Sequence, residues 1–298
     1  MLSAGASLLA PYAGLLDSLQ GLTWPSQVRV RAGDPGSHRS NRLGRSPEFT
    51  EYRSYRPGDD LRRLDWKLFG RTDRLFLRIA DDHAALRTTI LLDASGSMRF
   101  PVQGYGKWDH ACAIAIGLAS VAIGDGDAVG ISASTRDGER RIPPRRRRDV
   151  LNDAAALFGS VEVAGGASMA PAVERAASEP RLAVITDFLG DTDRVISALR
   201  MAAAAGSEIY AVHVVAEQEL NPPERSFLAS DPEDAEFRRA LSATNRDAYL
   251  AAFGAFRARV ARELHAMNAH YRWTTLAEPV RDVVRRVVEG GEPARVPA

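Results

Sequence analysis

Apolar positions divide the chain into two regimes. From residue 86 onward, short apolar runs alternate with longer segments of helical period. Arg87 to Leu92, Asp127 to Ala133, Leu182 to Thr186 and Glu208 to Val215 read as strands. Their near-continuous apolar character is that of strands covered on both faces. Between them, Lys107 to Ile123, Arg148 to Phe158, Met169 to Ala177 and Thr192 to Ala204 carry helical spacing. A short basic strand is expected near Arg141. Strands separated by helices of this length predict an α/β fold with a doubly wound, mostly parallel sheet and right-handed crossovers. Trp108, Ala111, Cys112, Ala115, Leu118 and Ala119 form one stripe, and Ile114 and Ile116 lie off it, so the first helix should be buried over much of its surface.

Ahead of residue 86 the pattern is weaker. Leu8, Leu9, Tyr12, Leu15, Leu16, Leu19 and Leu22 fall on one face of an amphipathic helix (1–23) expected to dock on the body of the protein. Residues 24–85 read as a small strand–helix–strand annex packed on the main sheet. Within it, Gln27 to Ala32 and Glu48 to Tyr55 are strand candidates, and residues 34–47 have turn chemistry throughout and predict a mobile or partner-ordered loop. Arg56-Pro57-Gly58-Asp59 reads as a turn. Asp60 is the expected N-cap of a helix from Leu61 to Gly70, and Arg74 to Asp81 alternates as a second strand. After the first part of the main domain (86–216), residues 217–242 are rich in Pro, Glu and Asp and predict an insertion or linker. Residues 243–298 complete the fold as a helical C-terminal extension. In it Asn245 to His265 is a long helix with Tyr249, Leu250, Phe253, Phe256, Val260 and Leu264 on one face. Tyr271 to Thr275 is a strand candidate, and Ala277 to Glu289 a closing helix.

Composition narrows the function classes. Of 298 residues, 45% are hydrophobic and 26% charged, and the net charge is +1, so no global field points to nucleic acid. No run reaches the ~18 apolar residues of a membrane span, and the apolar N-terminus lacks a basic n-region. The single cysteine, Cys112, cannot form an internal disulfide. A reducing, cytoplasmic setting is expected. Basic residues are nearly all arginine, Lys67 and Lys107 being the only lysines. The dense run Arg145 to Arg148 reads as a solvated face or a seat for an anionic partner. It lacks the interleaved aromatics of a nucleic-acid site. Trp66 is expected as a core anchor, within a charge network of Arg53, Arg56, Asp59, Asp60, Arg62, Arg63 and Asp65.

Candidate chemistry sits where the first strand of the main domain ends. TTILLDASGSM delivers Asp93, Ser95 and Ser97 beyond an apolar run, and ligands of open α/β sheets bind beyond the carboxyl ends of strands. Asp187 follows the strand LAVIT, and Ser168 follows the Gly165-Gly166 turn. One or two carboxylates with two or three hydroxyls make a hard oxygen set suited to Mg²⁺ or Mn²⁺. The same residues also fit a hydrogen-bonded cluster that only shapes the loop, in a metal-free scaffold. A serine hydrolase using Ser95 or Ser97, with Asp109 and His110 nearby in sequence, is a third reading. The nucleophile-elbow pattern is absent, as is a phosphate-binding Gly-x-x-x-x-Gly-Lys-Ser loop.

DASGSM, GGAS and ITD resemble the three loops of the metal-ion-dependent adhesion site of von Willebrand A domains. The run EFTEYRSYRPGDDLRRLDWKLFGRTDRLFLR resembles the signature of a bacterial family known as domain of unknown function 58, and residues 26 to about 285 follow that family's order. The resemblance implies a non-enzymatic interaction module that works with a MoxR-type AAA+ ATPase, or its client, in chaperone-like assembly. It also implies a divalent cation on Asp93, Ser95, Ser97 and Asp187. Where the family's second loop supplies a threonine hydroxyl this chain has Ala167, so either Ser168 substitutes or the site keeps Asp93, Ser95, Ser97 and Asp187 with water in the gap.

Overall fold

The computed structural model describes residues 8–26, 35–43, 51–55, 64–79, 81–84, 86–222, 227–230, 238–241 and 243–290. Two compact units form, one from residues 1–25 and 87–298, the other from residues 26–86.

The larger unit is built on six strands: β1 (Arg87–Asp93), β2 (Ala128–Thr135), β3 (Gly138–Arg145), β4 (Arg181–Thr186), β5 (Glu208–Val215) and β6 (His270–Thr275). Their order across the sheet is β6-β5-β4-β1-β2-β3. Every neighbouring pair is parallel except β2 and β3. This is the doubly wound order that reverses direction between its first and fourth strands. The basic strand near Arg141 is thus an antiparallel edge. It tolerates Pro143 and Pro144 because an edge strand has ladder positions with no partner to satisfy.

Alternation along the strands separates two cores. Ile90, Leu92, Ala183, Ile185, Val212 and Val214 face one side, where they meet α1 (Lys107–Gly124), α2 (Asp149–Ser160) and, near the C-terminus, the helix Val280–Val288. Leu91, Leu182, Val184, Ile209 and Ala211 face the other, against α3 (Ala170–Arg175), α4 (Thr192–Ala204) and α5 (Ala243–Ala266). The two-residue period of a strand makes this division. The closing helix, α6, is Val280–Val288, and its Val283, Val284 and Val287 are buried. α1 is buried over most of its surface, as its overlapping apolar stripes predict, and Cys112 lies inside it as a free thiol whose pKa burial pushes well up.

α6 approaches α1 closely at Gly117. A Cβ there would stand 2.7 Å from Val284 Cγ2 and 3.1 Å from Leu19 Cδ1. Gly117→Val is therefore expected to destabilise the protein by about 1–3 kcal/mol, because a packed core resists added volume. The urea midpoint reads the change.

The N-terminal segment packs as predicted, although its described helical part is only a turn at Ala10–Tyr12 and a helix at Ala13–Ser18. Leu9, Tyr12, Leu15, Leu16 and Leu22 lie against the first core, Leu19 is buried in it, and Leu8 is exposed. Trp24 anchors the segment at the amino ends of the strands. Its backbone N–H donates to Asp125 Oδ2 at 2.5 Å. Its ring lies 4.4 Å from the guanidinium of the fully buried Arg181, which donates to the Trp24 carbonyl at 2.8 Å. Arg181 also meets Asp127 at 3.3 Å and Glu208 at 3.7 Å. The stretch after β5, expected as linker, holds a helical turn at Glu217–Leu220 and an antiparallel pairing of Phe227–Ser230 with Arg238–Leu241. No described helix is long and apolar enough to cross a membrane.

In the smaller unit, Glu51–Ser54 pairs antiparallel with Phe76–Ile79, and Pro35–Leu43 pairs with Asp81–Ala84. The second pairing corrects the loop expected over residues 34–47. Register shifts between Pro35 and His38 and between Arg39 and Leu43 let turn-forming residues sit in a ribbon. The helix runs Trp66–Thr72, later than expected, with Asp65 as N-cap. Its Oδ1 accepts from the backbone N–H groups of Lys67 and Leu68, each at 3.0 Å. Gln27 to Ala32, the Arg56–Asp59 turn and Asp60 lie outside the described residues. Trp66, expected as a core anchor, is 63% exposed and stands edge-on to Phe69 at a centroid distance of 6.2 Å. As the first residue of a short helix with no buried residues, it has no core to anchor.

Candidate functional site

β1 ends at Asp93 and β4 at Thr186, and the two strands are neighbours at the point where the sheet order reverses. The crevice that ligands use in this architecture therefore opens between Asp93 and Asp187. Beyond β1 the chain turns into a short 3₁₀ helix, Gly96–Arg99. It is tied to the Gly165-Gly166 loop by a hydrogen bond from Gly96 N–H to the Gly165 carbonyl at 2.8 Å. Gly165 has φ +64°, a conformation that side chains disfavour.

Four of the five residues singled out from the sequence meet here. Ser95 N–H donates to Asp93 Oδ1 at 2.9 Å, and Thr186 Oγ1 donates to Asp93 Oδ2 at 2.6 Å. The Ser95 and Ser97 hydroxyls lie 3.0 Å apart, and Ser97 hydrogen-bonds to Asp187. Asp187 Oδ1 accepts from the Leu189 N–H at 3.0 Å. All four side chains are only 1–3% exposed. Ser168 does not join them. Its hydroxyl donates to Asp191 Oδ2 at 2.8 Å and accepts from the Ala170 N–H at 3.2 Å, so it serves the start of α3.

Lys107, absent from the sequence-based list, is fully buried at the start of α1. Its Nζ donates to Asp187 Oδ2 at 2.7 Å and to Glu219 Oε1 at 2.8 Å. Glu219 Oε2 in turn accepts from the Ala216 N–H at 2.7 Å, where the chain leaves β5. One chain of polar contacts thus runs from Thr186 through Asp93, Ser95, Ser97, Asp187 and Lys107 to Glu219. The available signal for Lys107 was its rarity, in a chain that otherwise uses arginine for positive charge.

The two carboxylates differ electrostatically. Burial, with repulsion from Asp187, pushes the Asp93 carboxyl up to about 7, against the hydrogen bonds from Thr186 and Ser95. Burial would raise Asp187 too, but the Lys107 ammonium outweighs it and holds Asp187 below the usual carboxylate range. Lys107 shows the converse. Burial pulls its amine down, Asp187 and Glu219 pull it further up, and it stays charged. Asp93 is therefore the member of the pair whose negative charge has no cation beside it.

That arrangement fits a small, hard cation. Asp93, Ser95 and Ser97 present oxygen donors on one loop, and Asp187 borders them. Ala167 supplies no donor, and Ser168 is engaged by Asp191. No cluster of three or more His, Cys, Asp or Glu side chains suited to a metal occurs among the described residues, so any metal site here relies on the serine hydroxyls. The arrangement does not suit acyl transfer. A serine nucleophile needs a base within hydrogen-bond reach, whereas His110 faces Tyr105 at 3.3 Å and Thr274 at 3.4 Å. Asp109 accepts from the Gly106 N–H at 2.9 Å, capping α1. A pocket of about 460 Å³ is lined by Arg99, Pro101, Val102, Trp108, Asp109 and Val163.

An uncharacterized protein of Mycobacterium tuberculosis and one of Mycobacterium bovis are each 28% identical over 249 residues, covering 78% of this chain and 76% of the relative. Among solved structures, BatB from Bacteroides thetaiotaomicron aligns with TM-score 0.46 at 13% identity, over 69% of this chain and 98% of that one. An aerotolerance-related membrane protein from Bacteroides fragilis aligns with TM-score 0.45 at 14% identity, over 69% and 98%. The VWA domain of SpRpn10 aligns with TM-score 0.40 at 12% identity, over 67% and 94%. The profile of the family described as "Protein of unknown function DUF58" matches residues 51–259, and the chain belongs to that family.

Proposed function

We propose that this protein is a non-enzymatic, cytoplasmic interaction module whose binding edge is the Asp93–Ser95–Ser97 loop with Asp187. The observation that carries this reading is the meeting of two strand-end carboxylates and two paired hydroxyls at the reversal point of the sheet. Mg²⁺ or Mn²⁺ would be held by Asp93, Ser95 and Ser97, with Asp187 beside them and water in place of the hydroxyl that Ala167 lacks. When bound, the ion supplies a positive centre that accepts an acidic side chain from a partner protein. At 1–3% exposure the cluster offers no docking surface of its own. The partner's body rests on the surrounding loops, where Val102 is 69% and Tyr105 49% exposed. The resemblance to the family's signature supports a MoxR-type AAA+ ATPase, or its client, as that partner.

Calorimetric titration of Mg²⁺ and Mn²⁺ into wild type and Asp93→Ala tests the metal. Wild type is expected to give a saturable heat that the variant loses. Indistinguishable traces would leave a metal-free scaffold as the correct reading. Co-purification with a MoxR-type AAA+ ATPase from the same organism, with and without EDTA, tests the partner. Association that EDTA weakens is expected, and its absence in both conditions removes the ATPase from the proposal.

A further inference from the structure

The strongest unexplained feature of the site is an ammonium group buried between two carboxylates. Lys107 has no exposed surface, yet its amine is held at 2.7 Å by Asp187 and at 2.8 Å by Glu219. A buried charge is tolerated only where it is paired. Here the pairing consumes one oxygen of Asp187. That residue's other contacts, from the Leu189 N–H and from Ser97, keep it facing the Asp93 loop. Asp187 and Glu219 thus share one fixed positive charge, and that charge sits on the Asp187 side of the cluster.

We propose that Lys107 is the site's internal counter-ion and sets its affinity for added cations. This inference rests on the cation-binding reading above. The ammonium fixes Asp187 in position in the absence of any added ion, so the loop needs no metal to keep its shape. It also repels a second cation brought to Asp93, Ser95 and Ser97, and in a water-poor site that repulsion is strong. Glu219 shares the ammonium with Asp187 and gives it a second seat, so a cation and Lys107 can share the cluster without Asp187 serving both. Lys107 is a positioning residue. Buried and doubly held, it does not reach a ligand itself.

The test is Mg²⁺ and Mn²⁺ calorimetry on wild type, Lys107→Met, Lys107→Gln and Lys107→Arg, with circular dichroism confirming the fold of each. Lys107→Met is expected to bind Mn²⁺ at least tenfold tighter than wild type, and Lys107→Gln to follow it. Lys107→Arg, which keeps the charge, is expected to bind no tighter than wild type. A purely structural lysine would instead give weaker binding in all three variants. Lys107→Gln carries the test if the methionine variant does not fold, because its amide still hydrogen-bonds to Asp187. Folded neutral variants that bind no tighter than wild type overturn the role of Lys107 while leaving the cation site standing. No binding by wild type or by either neutral variant overturns the cation site and this inference together.

Discussion

Replacing Arg181 by leucine is expected to destabilise the protein by about 3–5 kcal/mol, the cost of stripping one partner from a buried ion pair. Arg181 opens β4 with no exposed surface, and Asp127, its partner at 3.3 Å, has none either. Asp127 also accepts from Thr88 Oγ1 at 3.1 Å, and Glu208 stands 3.7 Å from the guanidinium. The same group donates to the Trp24 carbonyl and lies over the indole ring at 4.4 Å, within cation–π range. Leucine would leave two carboxylates in a dry setting without their cation, and would unfasten the N-terminal segment. Urea unfolding followed by tryptophan fluorescence reads both effects. Arg181→Lys should recover only part of the loss, because a point charge cannot make the forked contacts or the stack. A midpoint within experimental error of wild type for Arg181→Leu would show that the network does not hold the strand ends.

The second large effect expected is a loss of stability in acid that runs through His213. This histidine sits in β5 among Phe188, Phe256 and Tyr271, with Nδ1 2.9 Å from the Tyr271 hydroxyl and only 1% exposed. Burial pushes its pKa down to about 3. Asp187 opposes the shift, and Arg257 and Lys107 add to it. The native imidazole is therefore neutral over a range in which the unfolded one, with an ordinary pKa of about 6.5, takes a proton. The stability it confers is fully present above about 6.5 and is lost as the pH falls toward its native value. Each pH unit in that window costs about 1.4 kcal/mol, so about 3 kcal/mol is gone by pH 4. His110, pushed down to about 4 by burial, adds to the same limb. Asp93 acts the other way. Its raised pKa makes the fold more stable as the pH falls from about 7 toward the ordinary carboxylate range. The comparison must therefore be between variants at each pH. His213→Phe should lose about 1 kcal/mol at pH 7, for the hydrogen bond to Tyr271, and should fall by about 3 kcal/mol less than wild type between pH 7 and pH 4. Parallel acid limbs would show that His213 takes up a proton without unfolding.

How much of this was legible beforehand depends on the kind of signal. The helix over Asn245 to His265 was found within two residues of Ala243–Ala266, because its apolar face repeats over many turns. The smaller unit was read less well. Asp60 was expected to cap a helix that in fact starts at Trp66 behind Asp65, and both residues are equally good caps in isolation. Pro35–Leu43 carried loop composition yet pairs with Asp81–Ala84. Backbone hydrogen bonding across a ribbon does not depend on the side chains that composition counts. At the site, Asp93, Ser95, Ser97 and Asp187 were identified because strand-end position is a property of local sequence. Ser168 was included on the same ground, and only its contact with Asp191 shows that its hydroxyl is engaged elsewhere.

The sequence by itself determined the alternation of strands and helices, the two strand-end loops and the nearly all-round burial of the first helix. These follow from periods of two and 3.6 residues, which are local. Only the tertiary structure decided that Lys107 meets Asp187 at a sequence separation of 80 and Glu219 at one of 112. It alone likewise brought Arg181 to Trp24, at a separation of 157. A buried charge is placed by whichever opposite charge the folded backbone brings beside it, and no periodicity along the chain records that partner. The Asp93–Ser95–Ser97 loop was visible as chemistry, but the buried lysine beside Asp187 was not.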